Sequence, residues 1–386
     1  MKIVIAPDSF KESLDANKVA EAIEKGFHEI FPKAEIVKFP MADGGEGTVL
    51  SLINATKGKI IETKVTGPHH RLIDSYYGVL GDGKTAVIEM AAASGLHLLS
   101  EEERNPLITT TYGVGELIKK ALDMGIKKII IGLGGSGTND GGAGMAQALG
   151  AKLLNRKGEE IGLGAQALQD LDRIDISCLD KRLKTSEILV ACDVNTKFTG
   201  PDGASMVFGP QKGASNEMVK QLDNYLRKYA EIVKRDIGIE ISDVPGSGAA
   251  GGLGGGLLAI CSAKLKNGVD IIIKVTNLAE IVKGSDLVIT GEGKIDNQTS
   301  LGKTPLGVAK IAKKHGIPVI AIGGSVSRNE KTIFENGIDA LFSIVPGVIT
   351  LSQSIKNAYE NIYLTSRNIA FIYKLGINQK NKNIKI

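Results

Sequence analysis

Short apolar runs recur along the chain, each closing in turn-forming residues: Lys2 to Ala6, Glu35 to Phe39, Lys127 to Ile131, Glu187 to Cys192, Asp286 to Thr290, Pro318 to Ile322 and Asp339 to Val345. Runs of this kind bounded by turn signals read as buried strands. Helical patterns lie between most of them. Val19, Ala20, Ile23, Phe27 and Ile30 share one helix face, and the stretch from Pro305 to Gly316 starts and stops on residues suited to helix ends. Strand and helix in alternation predict an α/β fold with a largely parallel sheet. From Ile60 to Met90 the pattern changes, because two alternating runs meet at Gly81-Asp82-Gly83, a hairpin signal. Strand–helix units return after Gly284. The expected organisation is therefore one α/β domain built from both chain ends, 1–60 and 280–386, with a mixed α/β domain inserted over 61–279.

At 386 residues the chain is long enough for two cores. With 47 basic and 43 acidic side chains the net charge is only +4, which excludes the basic stripe that nucleic acid requires. The cysteines Cys178, Cys192 and Cys261 are scattered and lack metal-ligand spacing, as expected in a reducing compartment. Met1 leads straight into a strand pattern, and no apolar run approaches the ~20 residues of a membrane helix. A soluble cytoplasmic protein is expected, with no nucleic-acid or membrane partner, as a monomer or homodimer.

The 48 glycines gather at strand ends rather than in a linker. Foremost is GLGGSGTNDGGAGM at Gly132 to Met145, between a strand pattern and a helix pattern, where unpaired N–H groups and a positive dipole end would suit a phosphate or carboxylate. Gly132 to Gly137 matches the dinucleotide fingerprint GxGxxG, but no acid ends a second strand about 20 residues on. Gly78 to Thr85 matches a P-loop string, yet Ala86 to Met90 continues as a strand, so the hairpin is the better reading. His69 and His70 read as surface residues, and the run Gly246 to Gly256, opening an apolar helix Leu257 to Leu265, reads as a second anion-binding start or as close helix packing, the former being favoured.

Nearly every glycine-rich strand end also carries a carboxylate: Asp8, Asp43 and Glu46, Asp140, Asp193, and Glu292 with Asp296. A single Asp there is equally a helix cap worth about 1 kcal/mol. Together they would repel bare phosphate and make sense around Mg²⁺-bound ATP, whose cation takes one or two such ligands. That favours a Mg·ATP phosphotransferase over a nicotinamide dehydrogenase. Lys11 and Lys212, the latter in a turn expected to present it outward, are candidate clamps for phosphate or a substrate carboxylate.

APDSFKESL at Ala6 to Leu14, ADGGEGT at Ala42 to Thr48, GGSGTNDGGAGM at Gly134 to Met145, VFGPQKGA at Val207 to Ala214, GAAGGLGGGL at Gly248 to Leu257 and ITGEGKIDNQTSLGKTP at Ile289 to Pro305 together resemble bacterial glycerate kinases of the first type. The resemblance covers almost the whole chain. It implies a flavodoxin-like terminal domain, an active site in the cleft between two domains, and ATP-dependent phosphorylation of D-glycerate, by preference at the 2-hydroxyl. The alternatives are phosphorylation at the 3-hydroxyl or of another small hydroxy acid. Thr196-Lys197 departs from an Asn-Pro pair usual in the family.

The expected site has Asp193 as base, with Asp8 second and Lys11 beside it. Ser9, Lys212 and Asp43 would contact substrate. Gly134, Gly135, Ser136, Thr138, Asn139, Gly291 and Glu292 would hold the nucleotide, and Asp296 and Asp140 the Mg²⁺.

Overall fold

A computed structural model describes residues 1–10, 12–41, 47–296, 299, 303–327 and 331–383. Its strands are β1 (Lys2–Ile5), β2 (Glu35–Lys38), β3 (Lys59–Thr66), β4 (Leu72–Val79), β5 (Thr85–Glu89), β6 (Lys128–Gly132), β7 (Lys152–Leu154), β8 (Arg173–Asp175), β9 (Glu187–Ala191), β10 (Lys264–Lys266), β11 (Leu287–Ile295), β12 (Val319–Val326) and β13 (Ala340–Ser343). They belong to two compact units, one formed by 1–43 with 269–386 and the other by 44–268.

In the terminal unit the sheet order is β13-β12-β11-β1-β2, with every pair parallel. Strand order reverses between β1 and β11, giving the 2-1-3-4-5 arrangement of flavodoxin-like folds, whose ligand crevice lies outside the carboxyl ends at that reversal. Ile3, Ile5, Leu287 and Ile289 are buried on both sides of this junction. Helix Ala16–Ile30 forms because Asp15 accepts the Lys18 N–H at 3.0 Å and caps it, while Val19, Ile23 and Phe27 face the sheet. It packs closely on helix Ala358–Asn383: a Cβ at Gly26 would lie 2.7 Å from the Arg367 nitrogen and the Tyr363 oxygen.

The second unit has the order β10-β9-β6-β5-β4-β3. β5, β6, β9 and β10 are parallel, while β3, β4 and β5 form an antiparallel meander. The hairpin over Gly81-Asp82-Gly83 is present, with Gly83 at φ 65°, and the P-loop string therefore runs into β5 rather than a helix. Ile88, Ile129 and Ile131 form the core with Val114 and Leu117 of helix Tyr112–Asp123. Helix Thr48–Thr56, grouped with the terminal domain by the sequence reading, packs on β4 and β5 of this unit. At the other boundary Val269 packs on Gly307 of the terminal unit, so the helix from Gly268 to Thr276 falls there rather than in the inserted domain. No helix among the described residues is long and apolar enough to cross a membrane.

Candidate active site

The carboxyl edge of the parallel strands in the second unit carries the principal glycine loop. Gly132 on β6 and Ala191 on β9 are register partners, so Gly134 and Asp193 leave neighbouring strands at the same level. Glu89 ends β5 in register with Gly132 on the other side. It is buried and accepts the Val49 N–H at 2.7 Å, capping helix Thr48–Thr56 where Gly47 offers no side chain.

The loop has two halves. Gly134 and Gly135 are accessible, Gly135 sits at φ 73°, and their N–H groups have no partner among the described residues. Residues 136–139 are buried and held from beneath. Thr109 Oγ1 donates to the Gly137 carbonyl at 3.0 Å, and Asn139 Nδ2 to Ser205 Oγ at 2.9 Å. Lys212 Nζ donates to the Thr138 carbonyl at 2.6 Å and to Ser136 Oγ at 3.3 Å. Contrary to expectation, the turn Pro210–Lys212 directs its lysine inward, where it is 1% exposed. Burial pushes the ammonium down to about 7, against an upward pull from the charge of Asp140.

Helix Ala143–Ala148 does not offer the open, positive end that its sequence suggests, because the chain's own carboxylate occupies it. Asp140, at 0% exposure, accepts the N–H groups of Thr111 at 2.8 Å, Gly142 at 3.1 Å and Gly144 at 3.2 Å. It also accepts Thr111 Oγ1 at 2.9 Å, and that hydroxyl oxygen in turn accepts the Met145 N–H at 3.0 Å. Burial pushes the Asp140 carboxyl up while these donors pull it down, and burial prevails. With its oxygens committed and no solvent contact, Asp140 does not fit a Mg²⁺ ligand; it anchors the loop to Thr111.

The second glycine run is likewise corrected. Its helix spans Leu253–Cys261, and Leu265 lies in β10. The N–H groups of Leu253, Gly254 and Gly255 already donate to the carbonyls of Ala250, Ala249 and Ser247, so no anion site is open at this start. The glycines serve close approach instead: Gly141 N donates to Gly251 O at 3.0 Å, and a Cβ at Gly251 would fall 2.0 Å from the Thr138 oxygen. Thr196-Lys197 joins the same assembly, since Thr196 O accepts Gly246 N at 3.1 Å and Gly248 N at 3.0 Å. Asp193 is exposed and accepts the Gly268 N–H at 2.9 Å.

In the terminal unit the site lies at the β1/β11 reversal. Asp8, 6% exposed, donates its N–H to the Gly291 carbonyl at 2.8 Å, and its carboxylate accepts Ser9 N at 2.6 Å and Thr304 Oγ1 at 2.7 Å. Thr304 opens helix Thr304–Lys313, so Asp8 ties β1 to that helix start. Gly291 has a structural reason to be glycine, since a Cβ there would lie 2.3 Å from the Ile322 oxygen of β12. Glu292 accepts Thr299 Oγ1 at 2.6 Å, Thr299 Oγ1 accepts Asp296 N at 3.0 Å, and Lys303 Nζ stands 3.6 Å from Glu292. Burial and, less strongly, the charge of Asp296 raise the Glu292 carboxyl, opposed by Thr299 and Lys303. Lys11, Asp43 and Glu46 lie outside the described residues.

Among the described residues no three His, Cys, Asp or Glu side chains gather as a metal cage. Mg²⁺ requires fewer, one or two carboxylates besides phosphate and water. Glu292 and Asp296, residues both bonded to Thr299, supply two such carboxylates, with Lys303 3.6 Å from Glu292 and Lys294 3.1 Å from Asp296. Sequence reasoning missed Glu89, Thr109 to Thr111, Ser205, Lys303 and Thr304. Only Glu89, an acid closing an apolar run, had a readable signal.

The glycerate kinase family model matches residues 3–374. The chain is 56% identical to the glycerate kinase of Bacillus subtilis, over 97% of this chain and 98% of that one. It is 54% identical to the glycerate 2-kinase of Escherichia coli, over 98% and 99% of the two chains. A crystal structure from Salmonella typhimurium LT2 bearing the provisional name glycerate kinase 2 superposes with a TM-score of 0.85 at 51% identity, covering 97% of this chain and 99% of that one.

Proposed function

Because the chain belongs to the glycerate kinase family, and is therefore an ATP-dependent phosphotransferase acting on glycerate, we propose that it transfers the γ-phosphoryl group of Mg·ATP to the 2-hydroxyl of D-glycerate, giving 2-phosphoglycerate and ADP. The observation that carries the 2-hydroxyl is the end-to-end identity of 54% with the E. coli glycerate 2-kinase. Phosphoryl transfer asks a protein chiefly for positioning and charge stabilisation. The free amides of Gly134 and Gly135 are suited to nucleotide phosphate, and the buried half of their loop keeps them in place. Glu292 and Asp296 are the residues to hold Mg²⁺, which when bound neutralises charge between the β- and γ-phosphates.

Asp193 is the proposed base for the glycerate hydroxyl. It is accessible, one strand from Gly134, and its bond to Gly268 N fixes the direction of the carboxylate. Asp8, buried and bonded to Thr304, is better placed to shape the start of helix Thr304–Lys313 than to take a proton. Ser9 stays a candidate for substrate contact beside it. The reaction belongs in the cytoplasm, where the free thiols Cys178, Cys192 and Cys261 remain reduced. The test is turnover with Mg·ATP and D-glycerate, coupled through enolase, pyruvate kinase and lactate dehydrogenase without phosphoglycerate mutase. Enolase accepts the 2-phosphate, so NADH loss supports the assignment. A signal that appears only when the mutase is added moves the transfer to the 3-hydroxyl.

A further inference from the structure

Lys212 is hydrogen-bonded to the glycine loop, yet at 1% exposure it has no surface to offer a ligand. Its two acceptors, Ser136 Oγ and the Thr138 carbonyl, flank Gly137, so one amino group clamps the chain on both sides of that glycine. Gly137 is itself tied, through its carbonyl to Thr109 Oγ1 and through its N–H to the Ser94 carbonyl at 2.9 Å. Immediately before this clamp come Gly134 and Gly135, the part of the loop with accessible amides.

We infer that Lys212 is a positioning residue for ATP, acting through Ser136 and Thr138 on the Gly134–Gly135 amides, and that it makes no contact with glycerate. This rests on the reading of Gly134 and Gly135 as the phosphate-binding loop. It departs from the obvious role for a lysine in a kinase, a direct clamp on substrate carboxylate, because both the burial and the bonding of Nζ point away from solvent.

The experiment measures KM for ATP and for D-glycerate separately in the full-length protein, together with calorimetric binding of Mg·ATP in the absence of glycerate. Lys212→Met should raise both KM and Kd for ATP at least tenfold and leave KM for glycerate within twofold. Thr109→Val, which releases Gly137 without touching Lys212, should move ATP in the same direction. The double variant should raise KM for ATP by less than the product of the two single effects, since both act on one loop. Ser136→Ala removes one Lys212 acceptor at little cost in volume and carries the same expectation if Lys212→Met does not fold. Gly135→Ala reports on the loop itself, because φ 73° does not suit alanine. If Gly135→Ala weakens ATP binding and neither Lys212→Met nor Ser136→Ala does, the positioning role is overturned with the loop reading intact. If Gly135→Ala changes nothing, the loop reading falls and the inference with it. A rise in KM for glycerate alone would make Lys212 a substrate ligand.

Discussion

Burying Lys212 should leave a signature in the pH dependence of stability. Its ammonium is held at about 7 in the fold, against about 10.4 in an unfolded chain. Between these values the unfolded state keeps the proton while the folded state gives it up, so stability rises with pH. The limiting slope is about 1.4 kcal/mol per pH unit. From pH 7 to pH 9 the folded group goes from half protonated to essentially neutral, and the integrated gain is about 2 kcal/mol. In a unit of this size that corresponds to roughly 4–8 °C in melting temperature. Other groups titrate in the same window, above all the cysteines of the unfolded chain, so the wild type is compared with Lys212→Met, which keeps all of them and removes a neighbouring charge only from Asp140. Scanning calorimetry of both proteins at pH 7 and pH 9 should show the wild type gaining about 2 kcal/mol relative to the variant. Below about pH 6 the difference should level off, because both states then carry the proton. Parallel curves, with a relative gain under about 0.5 kcal/mol, would refute the reasoning: Lys212 would then titrate at an ordinary value, and the burial described above would not hold in solution.

Asp193→Asn should lower kcat by about 10²–10⁴-fold with an unchanged melting temperature, the usual worth of a positioned base, and a loss under tenfold would remove Asp193 from that role. Glu292→Gln should raise the Mg²⁺ concentration for half-maximal activity by roughly tenfold, as expected on losing one of two carboxylate ligands; an unchanged Mg²⁺ titration would place the cation elsewhere. Gly26→Ala should cost about 1–3 kcal/mol in urea unfolding through overpacking, because its Cβ would meet backbone atoms of the C-terminal helix at 2.7 Å. A neutral Gly26→Ala would mean that the two helices do not pack as closely as described.

The strands were legible because buried parallel strands are continuous apolar runs that stop in turn residues, and each of the seven runs corresponds to a strand within a few residues at its ends. The β11 run was read short, at Thr290, because the strand continues through Gly291, Glu292 and Gly293, residues that look like a loop until their pairing with β12 is known. β7 and β8 are three residues each and left no readable pattern. The glycine run at 246–256 failed for a related reason. Glycine announces a position where backbones approach or turn, but it does not say whether the approaching group is a ligand or another loop, and here it is the loop at 138–141.

The same limit explains Asp140 and Lys212, the two side chains whose roles changed most. Sequence shows an acid in a phosphate-type loop and a lysine in a rigid turn, which is chemistry suited to metal and substrate. Whether such a group is available depends on where its lone pairs or protons are already spent. Asp140 meets donors from Thr111, 29 residues earlier in the chain, and Lys212 meets acceptors 74 and 76 residues earlier. No local spacing encodes those partners. In the proposed function their effect is direct, because a carboxylate filling one helix start leaves the preceding amides for phosphate, and Lys212 holds the segment at Ser136 and Thr138 that follows them. On the proposed reading, phosphate is left to Gly134 and Gly135, two residues without side chains, while Asp140 and Lys212, which look most like ligands, bond to the chain itself.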